Sequence, residues 1–316
     1  MTRAFIFPGQ GSQAVGMGLA LSQGFAAARL VFEEVDEALK QKLSRLMFEG
    51  PESDLILTEN AQPALMTVSI AVLRVLEAEG GWRLPDKASH VAGHSLGEYS
   101  ALAATGALSL SDAARLLKLR GQVMQKAVPV GVGAMAALLG PDLEQVQKIA
   151  KQAADETELV CGVGNDNSPG QVVVSGAKAA VERAIAIATE QGVKRSVMLP
   201  VSAPFHCALM QPAADAMAEA LAKATIRQPT VPVIANATAQ PVSDPGAIAK
   251  LLVQQIVATV RWRESILAMK SLGVAKVYEL GAGKVLAGLV KRIDKEIEAS
   301  SVGTPADVEA ALKALG

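Results

Sequence analysis

The feature that most constrains this chain is a glycine-flanked serine set between a predicted strand and a predicted helix. Residues 93–97 read Gly-His-Ser-Leu-Gly, with strand-like residues 89–92 before them and helix-forming residues 98–105 after them. In this context G-x-S-x-G predicts a nucleophile elbow, a sharp turn whose glycines relieve crowding and expose the serine hydroxyl. The helix that follows directs its N–H groups towards the same point, which favours a developing oxyanion. A purely structural glycine turn is the alternative.

Strand-like and helix-like segments alternate on both sides of this motif. Residues 4–7 form a short apolar run that ends in a glycine-rich turn, and residues 22–43, 61–79 and 111–127 have helical patterns. Such alternation predicts an α/β fold with a mainly parallel sheet that is covered on both faces. The tail, residues 293–316, is expected to form a charged surface helix.

The middle of the chain has a different pattern. Between Pro129 and Pro200 the order is strand, helix, strand, strand, helix, strand, which is typical of the ferredoxin-like fold. We therefore expect a small domain, residues 129–200, inserted into a large domain made of residues 1–128 and 201–316.

Composition argues against several classes of function. The formal net charge is −1, which gives no overall field for nucleic acid or a membrane surface. Cys161 and Cys207 are too few for a disulfide framework or a recognisable metal site. The sequence has neither an uninterrupted apolar stretch of ~18 residues nor a signal-peptide core. We expect a cytoplasmic globular protein with no metal or redox cofactor, no nucleic-acid partner and no membrane partner.

A serine hydroxyl is a poor nucleophile without a base, and the chain has three histidines. His94 is adjacent to Ser95, and neighbouring side chains at a tight elbow point apart, so a supporting role is expected. His90 lies in or at the start of a strand and is expected to be structural. Elimination leaves His206, in the loop after the predicted insert, as the candidate base. Cys207 beside it is expected to be a small buried hydrophobe, because no separate base serves it.

A hydrolase triad would also need an acid to orient the histidine. The aspartates between the serine and the candidate base lie in no recognisable motif; they are Asp112, Asp142, Asp155 and Asp166. The sequence therefore favours a dyad, in which an amide or a backbone carbonyl holds the imidazole.

Two motifs that resemble nucleotide-binding loops are incomplete. Gly9-Gln10-Gly11 begins like a dinucleotide fingerprint, but Ala14 stands where the third glycine belongs. Gly283-Lys284 ends like a phosphate-binding loop, but Val285 replaces the required Ser or Thr. Nucleotide binding through these loops is not expected.

Several separated blocks, in order and over nearly the whole length, resemble the malonyl-CoA–acyl carrier protein transacylases of fatty acid synthesis and the related acyltransferase domains of polyketide synthases. The blocks are residues 7–13 (FPGQGSQ), 93–100 (GHSLGEYS), 120–125 (RGQVMQ), 133–136 (GAMA), 167–171 (NSPGQ), 206–210 (HCALM) and 283–286 (GKVL). The resemblance implies an α/β fold with a hydrolase-like large domain and an inserted ferredoxin-like small domain.

The resemblance also implies roles for individual residues. Ser95 would carry the acyl group, and His206 would act as base and then as acid. The backbone N–H groups of Gln10 and Leu96 would form the oxyanion hole. Arg120 would bind the free carboxylate of a malonyl group through its planar fork of donors. Without the resemblance, an ordinary solvated helix arginine would be the preferred interpretation of this residue.

Gln255 lies where the family places a residue that orients the histidine through its carbonyl, although the Asn-Pro usual before Val260 is absent. Phe205 occupies a position where Phe accompanies malonyl over methylmalonyl in related polyketide domains. The implied partners are malonyl-CoA and an acyl carrier protein. The carrier is typically acidic, and the basic residues that could contact it are Lys194, Arg195, Lys284, Lys291 and Arg292.

Three alternatives stay open at this point. A serine esterase or thioesterase is disfavoured by Arg120 and by the missing acid. A non-catalytic scaffold of a lipid or polyketide assembly is disfavoured because Ser95 and His206 are both present. A trans-acting polyketide acyltransferase has the same motifs as the fatty acid enzyme, so the sequence does not separate the two.

Overall fold

The computed structural model describes residues 2–201 and 203–316, and in that part of the chain the strands form two sheets. The strands are β1 (Thr2–Phe7), β2 (His90–Gly93), β3 (Gly133–Leu139), β4 (Cys161–Ser168), β5 (Gln171–Ala177), β6 (Arg195–Met198), β7 (Val233–Ile234), β8 (Pro241–Val242), β9 (Val274–Leu280) and β10 (Glu298–Val302). The helices are α1 (Leu19–Gly24), α2 (Ala26–Leu39), α3 (Leu43–Glu49), α4 (Glu52–Leu55), α5 (Thr58–Gly80), α6 (Leu84–Lys87), α7 (Gly97–Ala104), α8 (Leu110–Ala127), α9 (Leu143–Thr157), α10 (Lys178–Glu190), α11 (Gln211–Lys223), α12 (Pro245–Val257), α13 (Trp262–Ser271), α14 (Val285–Ile293) and α15 (Pro305–Leu315).

The larger sheet has the strand order β10-β9-β1-β2-β7-β8, and every neighbouring pair is parallel except β7 with β8. Phe7 at the end of β1 lies opposite Gly93 at the end of β2. Because the carboxyl ends of parallel strands meet at one edge, the loops after β1, β2, β7 and β9 emerge together. The predicted elbow and the predicted glycine-rich turn therefore become neighbours in space.

The smaller sheet is antiparallel and has the order β4-β5-β3-β6. With α9 and α10 packed against it, the chain order of elements is β-α-β-β-α-β, as the sequence pattern predicted. The predicted α/β fold, with a mainly parallel large sheet and a ferredoxin-like small unit, is confirmed. The domain boundaries at residues 129 and 200 stay a prediction.

The two sheets are joined close to the elbow. Val260 donates its N–H to Gly164 O (2.9 Å) and accepts from Asp166 N (3.0 Å), a short parallel bridge between the two units. The buried Asp166 carboxylate also pairs with Arg263 on α13, at 2.9 Å from Nη2. These contacts fix β4 of the small sheet against α13 and the residues just before it.

Helix α5 is the central helix of the larger core. It is long and apolar enough to cross a membrane by length and composition, but 83% of its most apolar window is buried inside the fold. It packs against α2, α7 and α8, and side chains such as Leu65, Val68 and Val72 are almost fully buried. Its apolarity is therefore accounted for by the protein core.

The helix predicted over residues 22–43 is wrong as one element. Phe25 adopts an extended backbone (φ −135°, ψ 126°) and separates α1 from α2, and Lys40 in the left-handed region ends α2. The next helix begins at Leu43, and Ser44 donates two hydrogen bonds to the Asp36 carboxylate. Apolar spacing continued across both breaks, so periodicity alone did not reveal them.

The surface helix predicted for residues 293–316 is also wrong. Residues Glu298–Val302 form β10, the edge strand beside β9, and Pro305–Leu315 form α15. Thr304 and Asp307 make a capping box that begins α15, and Val308, Ala311 and Leu315 recur at helical spacing on its buried face. The charges of this segment lie on the opposite, exposed face and obscured that apolar stripe.

Candidate active site

Ser95 occupies a strained turn that links β2 to α7. Its φ is +54°, in the left-handed region, which is uncommon for a residue with a side chain. A Cβ on Gly93 would lie 1.8 Å from the carbonyl of Gly97, and a Cβ on Gly97 would lie 2.3 Å from Phe7 O. Both glycines are required by close backbone approach, so the predicted elbow geometry is present.

His206 contacts the Ser95 hydroxyl, with 2.8 Å between Nε2 and Oγ. Its other ring nitrogen, Nδ1, lies 2.8 Å from the backbone carbonyl oxygen of Gln255. A carbonyl only accepts hydrogen bonds, so Nδ1 carries the ring proton and Nε2 is left to accept the proton of the serine hydroxyl. The backbone of His206 is itself in the left-handed region, at φ +60°.

Burial keeps the His206 imidazole neutral. The side chain is 4% exposed, and desolvation, together with the nearby positive charge of Arg120, lowers its pKa to about 3. The pKa of His94 is lowered as well, chiefly by desolvation. Near neutral pH the candidate base is therefore in the form that can accept a proton.

Arg120 on α8 is 1% exposed, which contradicts the interpretation as an ordinary solvated helix arginine. Its Nη2 donates to Ser95 Oγ (3.0 Å) and to Gln255 Oε1 (2.9 Å), and its Nη1 donates to Gln62 Oε1 (2.7 Å). Its guanidinium carbon lies 5.8 Å from the centre of the Tyr99 ring, within the range of a cation–π contact. A buried positive charge thus lies directly beside the nucleophile.

A cavity of about 260 Å³ opens onto Ser95. Gln10 from the loop after β1 and Leu96 from the elbow both line it, together with Ser95. Apolar residues from α8, from β3 and from the segment after β6 complete its wall; these are Met124, Met135, Leu199, Pro200, Val201 and Phe205. The structure therefore brings all the residues proposed from the resemblance to one place.

A buried polar network beneath the elbow was missed by the sequence reasoning. Asn236, from the loop after β7, accepts from Ser95 N (2.7 Å) and donates to Gly93 O (2.7 Å). Glu98 accepts from Asn236 N (3.0 Å) and from Gln255 Nε2 (2.8 Å). Glu98 could have been singled out from the sequence, because it is the one carboxylate in a short, largely apolar helix. Nothing in the sequence distinguishes Asn236.

The remaining candidates have other contacts. His94 Nε2 lies 2.8 Å from Asn167 Oδ1 and its ring packs on Trp262, so it supports the elbow. His90 begins β2 and its Nδ1 lies 2.9 Å from Ser89 Oγ. Cys207 is buried, donates to Pro204 O, and has a raised pKa because of burial.

The four aspartates considered for a triad lie elsewhere, and none is among the hydrogen-bond partners of His206 in the described chain. Asp112 pairs with Arg115, Asp142 caps α9, Asp155 pairs with Lys151, and Asp166 pairs with Arg263. The imidazole is oriented by a backbone carbonyl, which is one of the two arrangements that the sequence left open.

The chain is similar to known proteins over nearly its whole length. The family model described as acyl transferase domain matches residues 4–304. A protein of Bacillus subtilis (strain 168) is 46% identical over 312 residues, covering 99% of this chain and 96% of its own length; one of Escherichia coli (strain K12) is 46% identical over 310 residues, covering 98% of each chain. Both are named malonyl CoA-acyl carrier protein transacylase.

Solved structures are similar over the whole chain. An acyl-carrier-protein-S-malonyltransferase from Bartonella henselae superposes with a TM-score of 0.97 at 55% identity, covering 100% of both chains. A malonyl-transacylase in complex with a type II PKS acyl-carrier protein superposes with a TM-score of 0.95 at 41% identity, covering 99% of this chain and 100% of the other.

Proposed function

This chain belongs to the acyl transferase domain family, and we propose that it transfers a malonyl group from malonyl-CoA to the phosphopantetheine thiol of an acyl carrier protein in fatty acid biosynthesis. The transfer proceeds by a ping-pong mechanism through a malonyl-Ser95 ester. The observation that carries the proposal is the Ser95–His206 pair, 2.8 Å apart, in one cavity with the buried guanidinium of Arg120.

In the first half-reaction the proton of Ser95 Oγ passes to His206 Nε2 as Oγ attacks the thioester carbonyl. The carbon–sulfur bond then breaks, and the leaving thiolate of coenzyme A takes the proton from His206. The backbone N–H groups of Gln10 and Leu96 stabilise the oxyanion. Loss of one such donor typically costs ~10²–10³ in rate.

In the second half-reaction the thiol of the carrier gives its proton to His206 and attacks the malonyl ester. The carbon–oxygen bond of the ester breaks, and His206 returns the proton to Ser95 Oγ. Arg120 holds the malonyl carboxylate bidentately, which orients the ester for the thiol and keeps the acyl group in one position. Gln255 contributes its backbone carbonyl, which fixes the tautomer of His206.

The carrier would approach the mouth of the cavity along exposed basic surface. The candidate contacts, all exposed, are Lys194, Arg195, Lys284, Lys291 and Arg292. Since the apolar face of α5 is occupied by core contacts, we propose that the enzyme is soluble and acts in the cytoplasm.

Intact-mass spectrometry tests the proposal. After mixing with malonyl-CoA the chain should gain one malonyl group, and addition of holo carrier protein should remove it and malonylate the carrier. Ser95→Ala should gain no mass. Absence of the adduct in the wild-type protein, with the Ser95–His206 pair intact, would contradict the proposal and favour a non-catalytic scaffold.

Two further measurements separate the alternatives. An esterase or thioesterase would release malonate equally fast with and without the carrier, whereas a transferase would not. Because one similar structure contains a type II PKS acyl-carrier protein, a polyketide carrier is the second candidate acceptor. Competition between a fatty acid carrier and a polyketide carrier for the malonyl enzyme would identify the preferred one.

A further inference from the structure

The buried Arg120 has no carboxylate partner in direct contact. Among residues 2–201 and 203–316, its guanidinium donates only to the uncharged oxygens of Gln62, Gln255 and Ser95, and its Nε has no partner. A charge taken out of water needs compensation, which for arginine is usually a paired carboxylate. The positive charge of Arg120 must therefore be compensated by a group that acts through one of these uncharged hydrogen-bond partners.

The side-chain amide of Gln255 connects Arg120 to such a group. Its Oε1 accepts from Arg120 Nη2 at 2.9 Å, while its Nε2 donates to Glu98 Oε2 at 2.8 Å and to Ser95 O at 3.0 Å. An amide oxygen only accepts and an amide nitrogen only donates. The cation on one side and the carboxylate on the other therefore determine which way this amide points.

Glu98 is the carboxylate that the Gln255 amide connects to Arg120, and the chain of hydrogen bonds Arg120–Gln255–Glu98 is called the relay below. It is 2% exposed, and its Oε2 accepts from both Gln255 Nε2 and Asn236 N. Desolvation raises its pKa to about 7, while the two hydrogen bonds and the charge of Arg120 act in the opposite direction. Glu98 in turn acts electrostatically on Arg120 and on Tyr99 beside it.

We propose that Glu98 is a positioning residue that sets the acyl-group selectivity of the site. Acting through the Gln255 amide, it compensates the charge of Arg120 at a distance and leaves the guanidinium available to the carboxylate of the acyl group. A carboxylate in direct contact with Arg120 would have to be displaced by every incoming malonyl group. The inference rests on the proposed function, since it concerns how that substrate is selected.

Glu98→Gln removes the negative charge of this side chain but keeps its shape, so the variant tests the effect of the charge alone. The Asn236 and Gln255 N–H groups both need an acceptor, so the new amide oxygen takes the place of Oε2 and the relay keeps its orientation. At about pH 8, where the wild-type carboxyl is ionised, the variant lacks only the negative charge. Single-turnover acylation by malonyl-CoA and by acetyl-CoA, followed by quench and intact mass, gives the half-saturating concentration and the limiting rate for each.

The half-saturating malonyl-CoA concentration should fall about 3- to 10-fold in Glu98→Gln, because the Glu98 carboxylate no longer partly offsets the positive charge of Arg120, which then attracts the substrate carboxylate more strongly. The value for acetyl-CoA, which has no acyl carboxylate, should stay unchanged. The limiting rates should fall for both substrates, because the uncompensated cation weakens His206 as a base. A wild-type ratio of the two half-saturating concentrations would overturn the proposal.

Glu279→Gln is the control for general loosening. Glu279 is also a fully buried carboxylate, and it accepts a backbone N–H on each oxygen, from Leu286 (3.1 Å) and Ala287 (2.8 Å), so its amide variant leaves one of them without an acceptor; it lies under α14 and does not line the cavity. Its substitution should leave the malonyl-to-acetyl ratio unchanged. An equal change of that ratio in both variants would assign the effect to general loosening and would overturn the proposal.

Gln62→Glu supplies an independent variant, because it places a carboxylate directly on Arg120 Nη1, where Gln62 Oε1 now accepts at 2.7 Å. The half-saturating malonyl-CoA concentration should rise several-fold while that for acetyl-CoA does not, and unchanged malonyl loading would contradict the inference. Malonylation of wild-type Ser95 reports on the proposed function separately, so failure of the two ideas is distinguishable.

Discussion

Polar side chains are buried in the region around Ser95, whereas on the helix-covered face of the smaller sheet they are exposed. Beneath the elbow, Glu98, Arg120 and Asn236 are almost completely buried and are connected through amide groups. On the helix-covered face of the smaller sheet the core is apolar, and the charges of the helices lie in exposed pairs, such as Lys151 with Asp155 on α9. The first arrangement fixes a reactive geometry, whereas the second contributes stability and solubility.

This difference predicts whether a single substitution alters the chemistry of the site or the stability of the fold. A buried polar group with specific partners leaves those partners unsatisfied when it is removed, and the loss appears in the chemistry of the site. A buried apolar group leaves a cavity, and the loss appears in the free energy of unfolding. An exposed ion pair is screened by water and salt, and its loss is hardly measurable.

The largest effect is expected for His206→Ala. Removal of the base in contact with Ser95 Oγ should lower the single-turnover acylation rate by ~10²–10⁴, because proton transfer in the transition state is lost. The melting temperature serves as the control for folding. A folded variant that acylates at the wild-type rate would show that the Ser95–His206 contact is not used in the chemistry.

Ile149→Ala should do the opposite of His206→Ala: it should lower the stability and leave the acylation rate nearly unchanged. Ile149 on α9 is fully buried in the apolar core of the smaller sheet, so its truncation should cost about 2–5 kcal/mol in the free energy of unfolding, measured by denaturant titration. The protein that remains folded should acylate Ser95 at close to the wild-type rate. A large loss of rate in fully folded protein would mean that the two regions are coupled more tightly than their contacts indicate.

The pH dependence of acylation sharpens the comparison further. A histidine with an ordinary pKa of about 6.5 would become protonated, and inactive as a base, as the pH falls below that value. Burial and Arg120 instead lower the pKa of His206 to about 3, so it stays neutral in the folded protein well below pH 6.5. In the Glu98→Gln background, where the nearest carboxyl no longer titrates, the acylation rate should be constant from about pH 7 to about pH 5.

A stopped-flow or rapid-quench series across that range measures this directly. A decline centred near pH 6.5 would show that His206 is far better solvated than its 4% exposure indicates. The same series with acetyl-CoA as the acyl donor removes any contribution of the substrate carboxylate to the profile.

The smallest effect is expected for Lys151→Ala. Both side chains of the Lys151–Asp155 pair are largely exposed, so the free energy of unfolding should change by no more than about 0.5 kcal/mol. Acylation should be unchanged. A loss comparable to that of Ile149→Ala would mean that surface charge, and not apolar burial, stabilises this region.

Much of the molecule could be predicted because local patterns already contain it. The β-α-β-β-α-β order over the smaller sheet follows from strand and helix periodicity, and the strand before residues 93–97 and the helix after them identify the elbow. Elimination among three histidines selected His206, which does contact Ser95. The roles of Arg120, Gln10, Leu96 and Gln255 came from the resemblance, since none of them has a local pattern that distinguishes it.

Other features depend on contacts between segments far apart in the chain. The break at Phe25 leaves no mark in the local apolar period, whereas the apolar stripe of α15 is present in the sequence but is obscured by the charges around it. Asn236 and Gln62 look like ordinary amides in the sequence. The meeting of strand ends at one edge of the sheet brings Asn236 to Ser95, and the packing of α5 against α8 brings Gln62 to Arg120.

By itself the sequence determined the α/β class, the serine at a tight turn and the histidine that contacts it. These follow from the alternation of strand and helix patterns, from the G-x-S-x-G motif and from the presence of only three histidines in the sequence. Only the tertiary structure decided that Arg120 is buried without a direct carboxylate partner, and that Glu98 reaches it through one amide. The hydrogen bonds that connect Gln255 to Arg120 and to Glu98 join residues more than a hundred positions apart, and they have no counterpart in the order of neighbouring residues.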